Sequence, residues 1–155
     1  MKLHLRSATL DDLELLADMN RQLIEDEGSS NPMNGDQLRQ RMRNWLTTDW
    51  QADLLINGGD VVGYALYQFR NNVYRPEVRE AYLRHYFISR THRTTGYGLQ
   101  GMRLLQELRF KDVATTEIDV LVSNRIGNRF WLKAGFEPYA TNMRRSHSSN
   151  RKDEE

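Results

Sequence analysis

The sequence contains no cysteine, which excludes disulfide bonds, thiolate metal sites and a cysteine nucleophile. It has no long apolar run and no signal-peptide pattern after Met1, so no membrane span is predicted. The 22 lysines and arginines nearly balance the 21 aspartates and glutamates, and a net charge of +1 gives no global field for nucleic acid. We therefore expect a cytoplasmic protein without metal that binds neither nucleic acid nor membrane.

The length of 155 residues suits one domain with a substantial core. We predict a single domain over residues 1–143. From residue 144 onward the chain is polar and has no apolar anchor, so we expect a disordered C-terminal tail over residues 144–155.

The first half of the sequence predicts a strand, two consecutive helices and a β-hairpin. Thr9 and Asp12 form a capping-box pattern at the start of a helix that runs to about Glu27. A second helix is expected to begin near Asp36. The Asn57-to-Asp60 turn lies between apolar runs and is typical of a hairpin.

The second half predicts a strand–loop–helix–strand unit, whose two strands should be parallel neighbours. The first of these strands, Ala81 to Ile88, is rich in aromatic and aliphatic residues and is expected to be buried on both faces. The second is predicted over Glu117 to Val122. A short helix over Ile126 to Ala134 and a last strand over Phe136 to Met143 are expected to follow.

Between these parallel strands, a polar and basic loop from Arg93 leads into Gly96 and Gly98. Leucine and methionine side chains then recur from Leu99 at helical spacing. Glycines at the start of a helix let backbone N–H groups approach an anion such as a phosphate. An ordinary glycine-rich turn is the competing interpretation.

The segment Gly96 to Gly101 also matches the G-x-G-x-x-G pattern of dinucleotide-binding domains. That pattern requires the strand to run directly into the first glycine, whereas the polar residues Ser89 to Thr95 intervene here. It also requires an acidic residue at the end of the next strand, but Glu117 and Asp119 lie at its beginning and middle. The match is therefore weak.

The Arg93-x-x-Gly96-x-Gly98 loop resembles the pyrophosphate-binding loop of the GNAT acyltransferases. A downstream segment resembles the second characteristic segment of that family: Asn124-x-x-Gly127-x-x-Phe130-Trp131-x-Lys133-x-Gly135-Phe136. The resemblance implies an α/β (α+β) domain with a central mixed, largely antiparallel twisted sheet of six to seven strands. It also implies a parallel βαβ pair, about four flanking helices, and acetyl-CoA or a related acyl-CoA as co-substrate.

The resemblance implies that backbone groups hold the CoA pyrophosphate along one loop: Arg93, Thr94, Thr95, Gly96, Tyr97, Gly98 and Leu99. Phe87 and Ile88 would pair with the pantetheine arm, and the Ile88 N–H would stabilise the oxyanion. Asn124 and Trp131 correspond to further cofactor-binding positions.

The implied reaction is direct transfer of an acetyl group to an amine. The family often has tyrosine where this chain has Trp131, and an indole N–H does not release a proton at accessible pH. Tyr86 and Tyr139 are alternative acids, or the thiolate leaves unprotonated. Glu80 and His85 are candidate bases, and loss of the proton through ordered water is the alternative.

An acidic run, Glu25 to Glu27, follows the first helix, and Glu25 and Glu27 are predicted to attract a cationic amine acceptor. A solvated helix end is the competing interpretation. The acceptor is expected to be a small molecule or a peptide, and exposed sheet edges favour a homodimer. The alternative functions are CoA binding without turnover and transfer of another acyl group.

Overall fold

The computed structural model describes residues 2–147, which form a five-stranded sheet flanked by four α-helices. The strands are β1 (Leu3–Ser7), β2 (Trp50–Asn57), β3 (Asp60–Asn71), β4 (Arg79–Ile88) and β5 (Thr115–Glu117). The helices are α1 (Leu13–Glu27), α2 (Gly35–Leu46), α3 (Tyr97–Leu108) and α4 (Arg125–Lys133), with short 3-10 turns at Leu10–Asp12 and Arg90–His92. Of the predicted tail, residues 144–147 have no regular structure, and residues 148–155 lie outside the described residues.

The strands lie in the order β1-β2-β3-β4-β5, and neighbouring strands are antiparallel except for the parallel pair β4–β5. This confirms the mixed, largely antiparallel sheet and the βαβ unit. Helices α1 and α2 bury one face of the sheet around Leu16, Met42 and Phe87. Helix α3 buries the other face around Leu105.

The local sequence explains where α1 and α2 begin and where α1 ends. The predicted capping box between Thr9 and Asp12 is present, with the Thr9 N–H donating to Asp12 Oδ2 at 2.8 Å. Asn34 and Gln37 form a second capping box at the start of α2. Helix α1 ends at Gly28, whose φ of 67° is left-handed and favours glycine.

A β-bulge in β4 decides which side chains face the helices. Leu66 pairs with His85 and Tyr67 pairs with Leu83, so Arg84 has no partner on β3. The extra residue breaks the alternation, and Arg84 and His85 both contact the Trp45 ring of α2. The expectation that this strand is buried on both faces is wrong, because Arg84 is exposed.

The C-terminal part of the sheet is shorter than predicted. Strand β5 ends at Glu117, where it pairs with Tyr82, and β4 continues to Ile88 without a β5 partner. The predicted extension of this strand to Val122 is wrong, and the Val122 side chain is 90% exposed. The predicted last strand is also absent, since residues 136–147 form no regular structure. Pro138 removes a backbone donor there, and the segment's large side chains Tyr139 and Met143 are exposed. The described sheet therefore has five strands rather than six or seven.

Candidate active site

The site begins where β4 separates from β5. Ser89 N donates to Val62 O on β3 at 2.8 Å. Because backbone groups alternate in direction along a strand, the N–H and C=O of Ile88 face away from β3, toward the unpaired edge. The Ile88 carbonyl indeed accepts a hydrogen bond from Arg93 Nε at 2.8 Å rather than from β3. The Ile88 N–H therefore faces the edge where the resemblance requires an oxyanion donor.

The loop after β4 ends in two left-handed residues, Thr94 with φ 65° and Gly96 with φ 86°. Helix α3 follows at once, and its first hydrogen bond across this junction runs from Gln100 N to Gly96 O at 3.1 Å. Within the described chain, the N–H groups of residues 96–99 have no acceptor. Unpaired N–H groups and the positive end of the helix dipole suit an anion at this position.

The three glycines of this segment have different roles. A Cβ added at Gly96 meets nothing within 4 Å, so its left-handed φ is the reason for glycine. At Gly98 a Cβ would lie 2.8 Å from a ring carbon of Phe130 on α4. At Gly101 it would lie 2.3 Å from the Tyr86 hydroxyl oxygen. Gly98 and Gly101 thus let α4 and β4 pack closely against α3.

The acidic run at the end of α1 is held by arginines of this loop. Asp26 accepts hydrogen bonds from Arg93 and from Arg90 Nη2, the latter at 2.7 Å. Burial raises the pKa of Asp26, but the hydrogen bonds from Arg93 and Arg90 outweigh it and lower the pKa below its usual value. Glu25 pairs with Arg21 at 3.1 Å and with Arg90 at 3.4 Å. Glu27 is half-buried, and burial followed by the charge of Asp26 raises its pKa.

The candidate bases lie in structural contacts. His85 Nδ1 is 3.0 Å from the buried Tyr64 hydroxyl, and burial lowers the pKa of His85 to about 3, with help from the charges of Arg41 and Arg84. Its imidazole is thus neutral at physiological pH and a weak base. Glu80 accepts hydrogen bonds from Asn72 and Thr115, roughly 26 Å along β4 from Ile88.

The candidate acids are also occupied or remote. The Tyr86 hydroxyl donates to the Gly98 carbonyl at 2.6 Å, and burial raises the pKa of Tyr86 well above its usual value. Tyr139 is 92% exposed in the segment after α4.

The two downstream positions have structural contacts of their own. Asn124 caps α4, accepting a hydrogen bond from Gly127 N at 3.0 Å. Trp131 packs edge-to-face against Phe130 and Phe136 and lies 5.7 Å from the Tyr86 ring. Roles of Asn124 and Trp131 at the cofactor stay predictions.

The sequence analysis missed a cluster on the α2 face of the sheet, which we name the arginine–tryptophan cluster: Arg41, Trp45 and Arg84. The Arg41 and Arg84 guanidinium carbons lie 4.5 and 5.1 Å from the centre of the Trp45 ring. Arg41 and Trp45 are four residues apart on α2, a spacing that predicts contact. The bulge that brings Arg84 to them has no sequence signal.

Two cavities of about 550 Å³ each lie elsewhere, one between α1 and α2 near Arg39 and one between the end of α3 and Phe136. Within residues 2–147, no helix combines the length and apolar character that a membrane span requires. The same residues contain no group of three or more histidine, aspartate or glutamate side chains placed to hold a metal ion. The open edge of β4 and the start of α3, described above, form the candidate site.

Solved structures share this fold over nearly the whole chain. A possible acetyltransferase of Clostridium difficile 630 aligns with a TM-score of 0.79 and 14% identity, covering 96% of this chain and 99% of that one. A predicted acetyltransferase of Clostridium acetobutylicum with acetyl-CoA aligns with a TM-score of 0.70 and 18% identity, covering 94% of this chain and 96% of that one. An aminoglycoside N-acetyltransferase in complex with CoA aligns at 0.73 and 17% identity, covering 94% and 95%.

At these identities the alignments show the fold alone, and no curated protein matches the sequence. The sequence itself matches the model of the Acetyltransferase (GNAT) family over residues 16–136, which is most of the chain and includes both the Arg93 loop and the Asn124 segment. The protein belongs to the GNAT acetyltransferase family.

Proposed function

We propose that this protein is an acetyl-CoA-dependent N-acetyltransferase that transfers an acetyl group directly to a primary amine. The observation that carries the proposal is the continuity between the unpaired edge of β4 and the start of α3. The edge offers backbone partners to an extended pantetheine arm, and the N–H groups of residues 96–99 offer donors to the pyrophosphate at its end. Two solved structures with the same fold contain acetyl-CoA or CoA.

The proposed reaction uses few side chains. The neutral amine attacks the thioester carbonyl, and the Ile88 N–H donates to the oxygen as negative charge develops there. Collapse of this intermediate breaks the carbon–sulfur bond and releases the CoA thiolate. A thiol titrates near pH 8.5, so the thiolate takes a proton from water, and the amine proton leaves to water. This scheme requires no proton from Trp131.

A specific observation favours a second function, CoA binding without turnover. The chain has Trp131 where a proton-donating tyrosine is frequent in the family, and the Tyr86 hydroxyl is already committed to Gly98. A non-catalytic domain would bind acetyl-CoA and release no thiol with any amine.

One experiment separates the two functions. Calorimetric titration with acetyl-CoA measures binding, and a thiol reagent follows CoA release during incubation with a panel of amines, amino acids and peptides. Binding with amine-dependent thiol release supports the acetyltransferase. Binding without thiol release across the panel supports the non-catalytic domain, and absence of binding contradicts both. Repeating the thiol-release assay with longer acyl-CoA esters tests transfer of another acyl group.

A cytoplasmic location and a homodimer belong to the same proposal. Among residues 2–147, strand β1 has β2 as its single strand partner, and on its other edge Leu3 N donates to the Gln100 side chain at 3.3 Å. The edge strand of a second copy would pair along the rest of this edge. Light scattering after size-exclusion chromatography tests the dimer.

A further inference from the structure

We propose that the acceptor amine carries an anionic group, a carboxylate or a phosphate, which binds to the arginine–tryptophan cluster. This inference rests on the proposed function and names the chemical class of its acceptor. It reverses the sequence-based expectation of a cationic acceptor drawn by Glu25 and Glu27.

The two arginines of the cluster have no carboxylate partner. Within residues 2–147, no carboxylate oxygen lies within 4.0 Å of the Arg41 or Arg84 guanidinium. Of the other fifteen arginines in these residues, seven have such a partner and eight do not, so the shared Trp45 ring is what distinguishes Arg41 and Arg84. The paired ones are Arg6, Arg21, Arg39, Arg79, Arg90, Arg93 and Arg109. The two unpaired cations contact the same Trp45 ring, and burial followed by the charge of Arg84 lowers the pKa of Arg41. An anion between them would offset both the burial and the repulsion.

Unpaired hydrogen-bond donors lie beside these charges. Arg41 Nη2 donates to Asn20 Oδ1 at 3.0 Å, but Arg41 Nε and Asn20 Nδ2 are buried without a hydrogen-bond partner. Asn20 is fully buried. The Asn20 amide also lies near the Tyr64 hydroxyl and partly offsets the increase in the pKa of Tyr64 that burial causes. The geometry between the two groups is not that of a regular hydrogen bond. Buried donors without acceptors are costly, and a ligand oxygen would satisfy them.

The cluster lies at a suitable distance from the expected reacting centre. Trp45 contacts His85 with a ring separation of 5.2 Å, and His85 precedes Ile88 by three residues, or about 10 Å along the strand. The side chains of Phe87 and Tyr64 lie between them and are buried in the core beneath α1 and α2. The span from Ile88 to the cluster is therefore within the length of a small acceptor that has its amine at one end and an anionic group at the other.

The acidic run does not cancel this positive charge. Glu25 and Asp26 are held by Arg21, Arg90 and Arg93 at the end of α1. Glu27 is the remaining carboxyl group, and its raised pKa reflects burial and the nearby Asp26 rather than contact with an arginine. Glu27 and Arg41 both act on the pKa of the buried Tyr64, which Glu27 raises and Arg41 lowers. The two arginines of the cluster thus face one unpaired carboxyl group of the acidic run.

The test compares three series of acceptors of equal chain length: ω-amino acids, simple alkylamines and diamines. In addition to these series, phosphoethanolamine is compared with ethanolamine, which measures the preference for a phosphate group separately from that for a carboxylate. Thiol release from acetyl-CoA gives kcat/KM for each. We expect kcat/KM for the anionic acceptor to be about tenfold higher than kcat/KM for the alkylamine of the same length. A charge interaction of about 1.4 kcal/mol gives this ratio. The preferred length measures the distance from Ile88 to the cluster.

Variants assign the preference to the cluster. Arg84 is exposed, so Arg84→Gln should fold, and circular dichroism and Tm verify this. It is expected to lower kcat/KM for the anionic acceptor more than for the alkylamine. The matched control is Arg70→Gln, since Arg70 lies over the Tyr82 ring at 4.3 Å, outside the cluster. This control should keep the wild-type preference.

The outcomes separate this inference from the proposed function. Turnover with a preference for diamines or alkylamines overturns the inference and leaves the acetyltransferase standing. If acetyl-CoA binds but no amine is acetylated, the cluster is tested directly by titrating the protein with acetate and with inorganic phosphate while tryptophan fluorescence is monitored. Saturable quenching that Arg84→Gln abolishes and Arg70→Gln keeps supports the inference. Quenching that is absent or insensitive to Arg84→Gln overturns it.

Discussion

The Arg93 guanidinium joins Asp26 at the end of α1 to the carbonyl of Ile88 at the end of β4. The loop that is proposed to hold the pyrophosphate is therefore already bound to an anion of the protein itself. A pyrophosphate bound beside these guanidinium groups would compete with the Asp26 carboxylate for Arg93 and Arg90.

This competition predicts that Asp26→Asn strengthens acetyl-CoA binding. Removing the carboxylate leaves Arg90 and Arg93 free for the pyrophosphate, and we expect a three- to tenfold lower Kd, or about 1 kcal/mol. Calorimetry at low and high salt measures the effect, which should diminish at high salt. Glu25→Gln is the control, because Glu25 contacts Arg90 at 3.4 Å and is expected to change Kd less. Weaker binding by Asp26→Asn would show that Asp26 instead holds the loop in shape.

Gly96 and Gly58 form a matched pair for testing the start of α3. Both have a left-handed φ, 86° and 63°, and open space around an added Cβ. Alanine should therefore cost about 1 kcal/mol of stability at either position. We expect similar falls in Tm, but only Gly96→Ala should weaken acetyl-CoA binding, because Gly58 lies in the β2–β3 hairpin. Equal binding by the two variants would argue against the loop as the pyrophosphate site.

The neutral, buried His85 predicts a loss of stability in mild acid. The pKa of His85 in the folded protein is about 3, below the usual value of 6.5. Between these pH values the unfolded chain is protonated at His85 and the folded chain is not. The contribution is fully present above pH 6.5 and is lost as pH falls toward 3, at about 1 kcal/mol per pH unit. Urea unfolding at pH 7, 6 and 5 measures this slope. His85→Gln should reduce it, whereas replacement of the exposed His4 should not.

A buried ion pair predicts a large stability effect away from the site. Asp53 has no exposed surface and accepts hydrogen bonds from Arg109 Nη2 at 2.9 Å and from the Tyr67 hydroxyl at 2.6 Å. Arg109→Gln leaves the Asp53 charge buried and should lower the free energy of unfolding by about 3 kcal/mol. Adding Asp53→Asn should recover part of the loss. Additive effects of the two substitutions in urea unfolding would contradict the coupling.

The loop at Gly96 could be predicted because its glycines, basic residues and following helix are contiguous in sequence. Capping residues and the Asn57–Asp60 turn likewise located the helices and the hairpin. The bulge at Arg84 could not be predicted, because Ala81, Leu83, His85 and Phe87 alternate in sequence as though they shared one face. Ile118, Val120 and Val122 also alternate, but the pattern does not reveal that β4 and β5 separate after Tyr82.

The arginine–tryptophan cluster was missed for a related reason. Arg41 and Arg84 are far apart in the chain, and neither position is distinguished in the sequence from the other arginines. Only the bulge on β4 and the packing of α2 bring them to one aromatic ring. No pattern in the sequence predicts that Asp26 binds Arg90 and Arg93 of the loop after β4.

The close approach of Gly98 to Phe130 packs the two family motifs directly against each other. The Arg93 loop supplies the surface that meets the ligand, while the Asn124–Phe136 segment supports the same helix from behind. A larger residue at Gly98 would force α4 outward, and a smaller one at Phe130 would leave α3 without support. Substitutions at positions 98 and 130 should therefore be coupled: a larger side chain at position 98 requires a smaller one at position 130.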